Sequence, residues 1–221
     1  MISNEKKPGQ ELFPEGPSID PERNATHVPE IEFVPANYFA PLNLVEVFGR
    51  IAPLEVDLGC GDGAFLAQLA AQFPERNYLG IEKLGGRIRR GCKKALRLNL
   101  SNLRLIRIES SYAIQYLLPE ATADVVHLLF PDPWSKRKHK RRRLVQPAFL
   151  ESVHRLLGPN GRFRIATDQE RYFRAIQSLI LPEAFIEETD SPNESFPVTT
   201  FERHFLAESA PIYRLTLRKV S

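Results

Sequence analysis

A short apolar segment, Leu54-Glu55-Val56-Asp57-Leu58, runs directly into Gly59-Cys60-Gly61-Asp62-Gly63 and then into a helical pattern with Phe65, Leu66, Leu69 and Phe73 on one face. Strand, glycine turn and helix in immediate succession leave a chain few options. The unit buries its apolar faces when the next strand lies parallel to the first and the helix crosses over between them. The pattern then repeats. Tyr78-Leu79-Gly80-Ile81 forms a second strand ending at Glu82, followed by a basic helix over residues 84–98 with Ile88, Cys92, Ala95 and Leu96 inward. A third strand over residues 103–108 ends at Glu109, with a helix over 113–118. The fourth strand, Val125-Val126-His127-Leu128-Leu129-Phe130, is apolar throughout, as a strand buried on both faces must be.

A helix over residues 147–157 follows, which Gly158-Pro159-Asn160-Gly161 is expected to terminate. The fifth strand, residues 162–166, reaches Thr167 and Asp168. A helix over 169–181, a sixth strand over 184–187, a polar loop and a short helix over 201–208 complete the alternation. The last strand, residues 212–219, alternates apolar and polar side chains, which suits an edge or antiparallel position. The fold expected is α/β and doubly wound, a mostly parallel seven-stranded sheet with helices on both faces. A leading helix over residues 38–49, with Phe39, Leu42, Val45 and Phe48 inward, precedes the first strand.

Residues 1–35 hold six of the eighteen prolines and few large apolar side chains, so they are expected to form a poorly ordered arm outside a single domain spanning 36–221. The chain has no apolar run near the ~18 residues of a membrane span, and its first residues lack a signal-peptide core, which places it in the cytoplasm. Cys60 and Cys92 form no metal-ligand spacing and read as free thiols in a reducing compartment. No metal and no obligate protein partner are expected.

Acids close four successive strands: Asp57, Glu82, Glu109 and Asp132. In open α/β sheets the carboxyl edge of the strands is where ligands bind. Gly59 and Gly61 allow a ligand close to the backbone, and Glu82 can accept from both hydroxyls of a ribose. Those two features also fit a nicotinamide dehydrogenase. Asp57 ahead of the glycines, Glu109 near an adenine edge and Asp132 beside a transferable methyl group favour S-adenosylmethionine. Asp132 lies between Pro131 and Pro133, which restrict the backbone on either side of it.

Seven of the nine residues after Trp134 are Lys or Arg. Residues 136–143 carry +7 in a chain of net +3, leaving −4 elsewhere, so the positive field is a local patch. Beside a candidate active site, Lys136, Arg137, Lys138, Lys140, Arg141, Arg142 and Arg143 point to a polyanion, and phosphate neutralisation needs several such cations together. By contrast, Thr200, Phe201 and Glu202 read locally as nothing more than a helix N-terminus with a favourable early acid.

The set VDLGCGDG, YLGIEK, FPDPWSK with its basic run, IATD and TTFE resembles the bacterial tRNA (guanine-N7-)-methyltransferases over residues 36–219. That resemblance implies a class I methyltransferase fold with the last strand antiparallel. It also implies methyl transfer from S-adenosylmethionine to a guanosine in the tRNA variable loop. Asp57, Glu82, Glu109 and Asp132 would then contact the cofactor, Asp132 would be catalytic, and Lys136, Asp168, Thr199, Thr200, Phe201 and Glu202 would meet the tRNA or its guanine. The first-strand acid is often Glu in that family and the third usually Asp, the reverse of Asp57 and Glu109. The other readings open at this point are methylation of another RNA or a small molecule, a dehydrogenase, and an inactive RNA-binding module.

Overall fold

The computed structural model describes residues 30–134, 137–189 and 197–220. Seven strands form one sheet in the order β3-β2-β1-β4-β5-β7-β6. They are β1 (Leu54–Leu58), β2 (Asn77–Glu82), β3 (Leu103–Arg107), β4 (Ala123–Leu129), β5 (Leu157–Thr167), β6 (Phe185–Glu188) and β7 (Tyr213–Lys219). The first five pair in parallel, and β7 runs antiparallel between β5 and β6. The helices are α1 (Leu44–Phe48), α2 (Ala64–Gln72), α3 (Gly85–Arg97), α4 (Ser110–Tyr112), α5 (Pro147–Leu156), α6 (Glu170–Gln177) and α7 (Thr200–Ala207). No helix among the described residues is long and apolar enough to cross a membrane.

Alternation along the strands splits the core into two layers. Tyr78, Leu103 and Leu105 join Phe65, Leu66 and Leu69 of α2 and Ile88 and Ala95 of α3 on one face. Leu79, Ile81 and Ile106 join Phe149, Leu150 and Val153 of α5 and Tyr172 and Ile176 of α6 on the other. A buried polar group bridges the two central strands. His127 Nε2 lies 2.8 Å from Glu55 Oε2, and Arg76 Nε donates to Glu55 Oε1 at 2.8 Å. Burial pushes the imidazole below its ordinary range, so His127 is the neutral donor to an ionised Glu55.

Several expectations shift. The leading helix is only Leu44–Phe48, because Asn43 caps it by accepting from the Val45 amide, and Phe39 and Val45 face solvent. Residues 113–117 form a wide π-type turn instead of an α-helix, after the single turn of α4. The Gly158-Pro159-Asn160-Gly161 segment belongs to β5. Ala123 pairs with Leu157 and Val125 with Arg162, so the extra residues bulge out of the ladder.

The boundary of the arm also moves. Residues 1–29 lie outside the described residues, but residues 31–33 are part of the fold. Leu105 N donates to Ile31 O at 2.7 Å, and Phe33 N donates to Leu105 O at 2.9 Å. This covers the open edge of β3, a position that otherwise exposes unpaired backbone groups. Ile31 is 3% exposed. We expect Ile31→Ala to cost about 2–4 kcal/mol by urea unfolding; an unchanged midpoint would return this segment to a loosely attached arm.

Candidate active site

The chain leaves β1 through a turn in which Gly59, Gly61 and Gly63 all take positive φ, at 87°, 60° and 65°. The amides of Gly59 and Cys60 both donate to Ile81 O, at 2.8 and 3.0 Å, which ties the turn to β2. A Cβ at Gly59 or Gly61 would meet nothing within 4 Å, so the backbone here faces open space. Both glycines are therefore needed for conformation and leave room for a ligand.

Asp57 lies beneath this turn, 3% exposed, and its Oδ1 has no hydrogen-bond partner. Burial, reinforced by the charge of Glu82, raises its pKa to about 7. A buried carboxylate oxygen without a donor is costly unless protonated or matched by a cationic ligand. Glu82, also buried, accepts from Leu84 N at 2.9 Å through Oε1, while Oε2 lies 3.4 Å from Arg87 Nη1. Glu109 is the N-cap of α4, accepting from Tyr112 N at 3.1 Å and from the Ser111 hydroxyl.

Glu82, Glu109 and Asp132 line one cavity of about 600 Å³, together with Gly59, Arg87, Ser110, Gln115 and Trp134. A smaller space of about 60 Å³ on the other side of Gly59 is lined by Asp57, Gly61, Thr199 and Phe201, with Leu129 and Phe130 shared between the two. The four strand-end acids and both glycines thus line two spaces that adjoin through Gly59, Leu129 and Phe130. Asp168 follows β5 and is half-buried, with Gln169 Nε2 donating to it. It does not line either space.

Asp132 is exposed on a loop whose shape is unusual. Phe130 and Trp134, on either side of it, have φ of 54° and 42°, a region unfavourable for bulky side chains. Phe130 N donates to Ala166 O at 2.8 Å, and the Phe130 ring packs against Phe205 and Phe201 of α7, with centroids 5.3 and 6.4 Å apart. Trp134 is met edge-on by His139 and covered by the Arg142 guanidinium at 5.1 Å.

The N-terminus of α7 is a full capping box. Glu202 N donates to Thr199 Oγ1 at 3.0 Å, Thr199 N donates to Glu202 Oε2 at 3.3 Å, and Glu202 is also paired with Arg214. The cap is Thr199, one residue earlier than the local pattern implies. Lys136 lies outside the described residues, as do the side chains of Arg137, Lys138, Lys140 and Thr200; the backbone of residues 137–142 makes one short 3₁₀ helix. Arg141 and Arg142 are exposed, whereas Arg143 is half-buried and engaged within the protein. Sequence reasoning missed Ser110 and Gln115 and took Arg87 only as part of the positive field of the basic helix. Each stands within six residues of a strand-end acid, and that proximity is the signal that could have placed them at the site.

The family model described as "Putative methyltransferase" matches residues 51–215. The chain is 38% identical over 165 residues to a tRNA (guanine-N(7)-)-methyltransferase of Chromobacterium violaceum, covering 73% of each. It is 34% identical over 184 residues to the protein of the same name from Alkalilimnicola ehrlichii, covering 81% of this chain and 78% of that one. Among solved structures, the 16S rRNA methyltransferase KamB superposes with a TM-score of 0.59 at 15% identity, over 80% of this chain and 93% of that one. The last likeness concerns the fold alone.

The raised pKa of Asp57 has a consequence for stability. An acid whose pKa rises on folding contributes stability that is fully present below its ordinary value, 3.8, and is lost as pH climbs through about 7. Asp57→Asn imitates the protonated form. In ligand-free protein, the stability of the variant relative to the wild type should therefore rise by about 3 kcal/mol between pH 5 and pH 8. Urea unfolding at the two pH values measures it; a constant difference would mean that Asp57 is ionised throughout.

Proposed function

The chain belongs to the tRNA (guanine-N7-)-methyltransferase family, and we propose that it transfers a methyl group from S-adenosylmethionine to N7 of a guanosine in the variable loop of tRNA. The observation that carries this reading is that Glu82, Glu109 and Asp132 line one cavity and Asp57 lines a smaller space adjoining it at Gly59 of the glycine turn. S-adenosylmethionine, when bound, supplies an electrophilic methyl group on a sulfonium. The residues present suit it: the unpartnered Asp57 Oδ1 matches a cationic amine, and the open faces of Gly59 and Gly61 accommodate a ligand against the backbone.

In this reading Glu82 accepts from the ribose hydroxyls, using lone pairs that Leu84 N leaves free. Glu109 borders the adenosine, its carboxylate already steadied by the Tyr112 amide. Asp57 gives up its proton when a cationic group arrives, so cofactor binding releases a proton near neutral pH.

Guanine N7 carries an in-plane lone pair and needs no base to remove a proton before it attacks. What the reaction asks of the enzyme is alignment and charge support for a purine that becomes cationic. Asp132 serves both needs, orienting the base through its donor edge and opposing the developing charge. Phe201, Thr199, Asp168 and Lys136 are assigned to the guanine or its flanking nucleotides. Arg141 and Arg142, on the exposed rim, neutralise backbone phosphates together with Arg137, Lys138 and Lys140.

Incubation with labelled S-adenosylmethionine and unmodified tRNA, followed by mapping of the methylated base, tests the whole assignment. Label at N7 of a variable-loop guanosine is expected; label on another base or another RNA would redirect it. Asp132→Asn should lower turnover by ~10²–10³ with little change in cofactor affinity. Near wild-type turnover would remove the catalytic role. Glu82→Ala should weaken cofactor binding by ~1–3 kcal/mol in calorimetry, and unchanged affinity would free Glu82 from the ribose.

A further inference from the structure

Arg143 closes the basic run, where charge alone assigns it to an RNA phosphate. Its side chain is instead turned inward. Nε donates to Pro133 O at 2.7 Å, and the guanidinium lies over the Tyr172 ring, 4.5 Å from its centroid. Tyr172, on α6, is 1% exposed and belongs to the larger core layer. Burial is the main reason its phenol is raised above the ordinary range, and Asp132 is close enough to add to the effect.

The loop between Phe130 and Trp134 needs an anchor at each end. Its two left-handed residues, Phe130 and Trp134, hold conformations unfavourable for bulky side chains, and Pro131 and Pro133 have no N–H with which to tie it down. The Phe130 amide secures the first end on β5. At the second, the carbonyl of Pro133, immediately after Asp132, is gripped by Arg143.

We propose that Arg143 is a positioning residue for Asp132, holding its loop against Tyr172 instead of neutralising an RNA phosphate. The inference rests on the reading of Asp132 as the catalytic carboxylate. Arginine suits the task because its planar fork can stack on a ring while donating sideways; a lysine cannot combine the two.

The test uses Arg143→Ala and Arg143→Lys in the full chain, with three readouts. In both variants turnover at saturating tRNA should fall by ~10–100-fold. The salt dependence of tRNA binding should keep its wild-type slope, whereas loss of a phosphate contact in Arg143→Ala would lower it by ~0.9. Trp134 is the only tryptophan, so its fluorescence reports on this loop without any substrate. Acrylamide quenching should increase in both variants. A reduced slope in Arg143→Ala, full activity in Arg143→Lys, or unchanged quenching in both would each overturn the proposal. If Arg143→Ala does not fold, Arg143→Lys alone decides, since it keeps the charge and most of the bulk. A wild-type protein that methylates no tRNA would overturn the function above, while the quenching comparison would still decide the clamp.

Discussion

The parallel pairing of β1 with β4 is the constraint on which this molecule is built. The order of strands reverses there: β2 and β3 follow to one side, β5 to the other. The chain leaving β1 packs as α2 in one core layer, and the helix after β4 packs as α5 in the other. Their connections diverge and leave a crevice at the carboxyl edge. The pair is fastened inside the sheet by neutral His127 and ionised Glu55 on these two strands, the carboxylate charge being matched by Arg76. Loss of one partner of such a buried group would leave the other unsatisfied.

Around the crevice, order and cost are distributed unequally. Asp57 sits buried with an oxygen unpaired, a destabilised arrangement that a cationic ligand relieves. Glu82 and Glu109 are steadied by amides of the turns that follow them, so their carboxylates are preorganised before anything binds. Asp132 is exposed, and its direction comes from the strained loop around it. The site thus combines one buried acid with an unpaired oxygen, two acids braced by turn amides and one held by its loop.

Among its described side chains, the basic run has two kinds of member. Arg141 and Arg142 are exposed at the rim, the second stacked on Trp134, whereas Arg143 is folded back onto Tyr172. A cluster of like charges on sequence therefore does not translate into a uniform surface, because one side chain can be drawn inward by a ring and a carbonyl while its neighbours face solvent.

Much of this was legible from the chain itself. Period-two and period-3.6 apolar patterns and the glycine turn are local properties, so the seven strands and the α/β class followed from them, and so did acids at the ends of β1 to β4. Residues with only weak local signals were not legible. Ile31 and Phe33 lie in a proline-rich stretch, and only the unpaired edge of β3, more than seventy residues away, gives them a place in the fold. The early start of β5 depends on Ala123 pairing with Leu157, which overrides a strong turn sequence. Thr200 with Glu202 reads as the cap, whereas Thr199 forms it; Thr199 and Phe201 also border the crevice, which depends on α7 docking against Phe130. The sequence by itself determined which groups stand at the ends of the strands, since that depends on neighbours along the chain. Which of them are buried, braced or strained was decided by tertiary structure alone, because burial and electrostatics depend on groups brought together across the sheet.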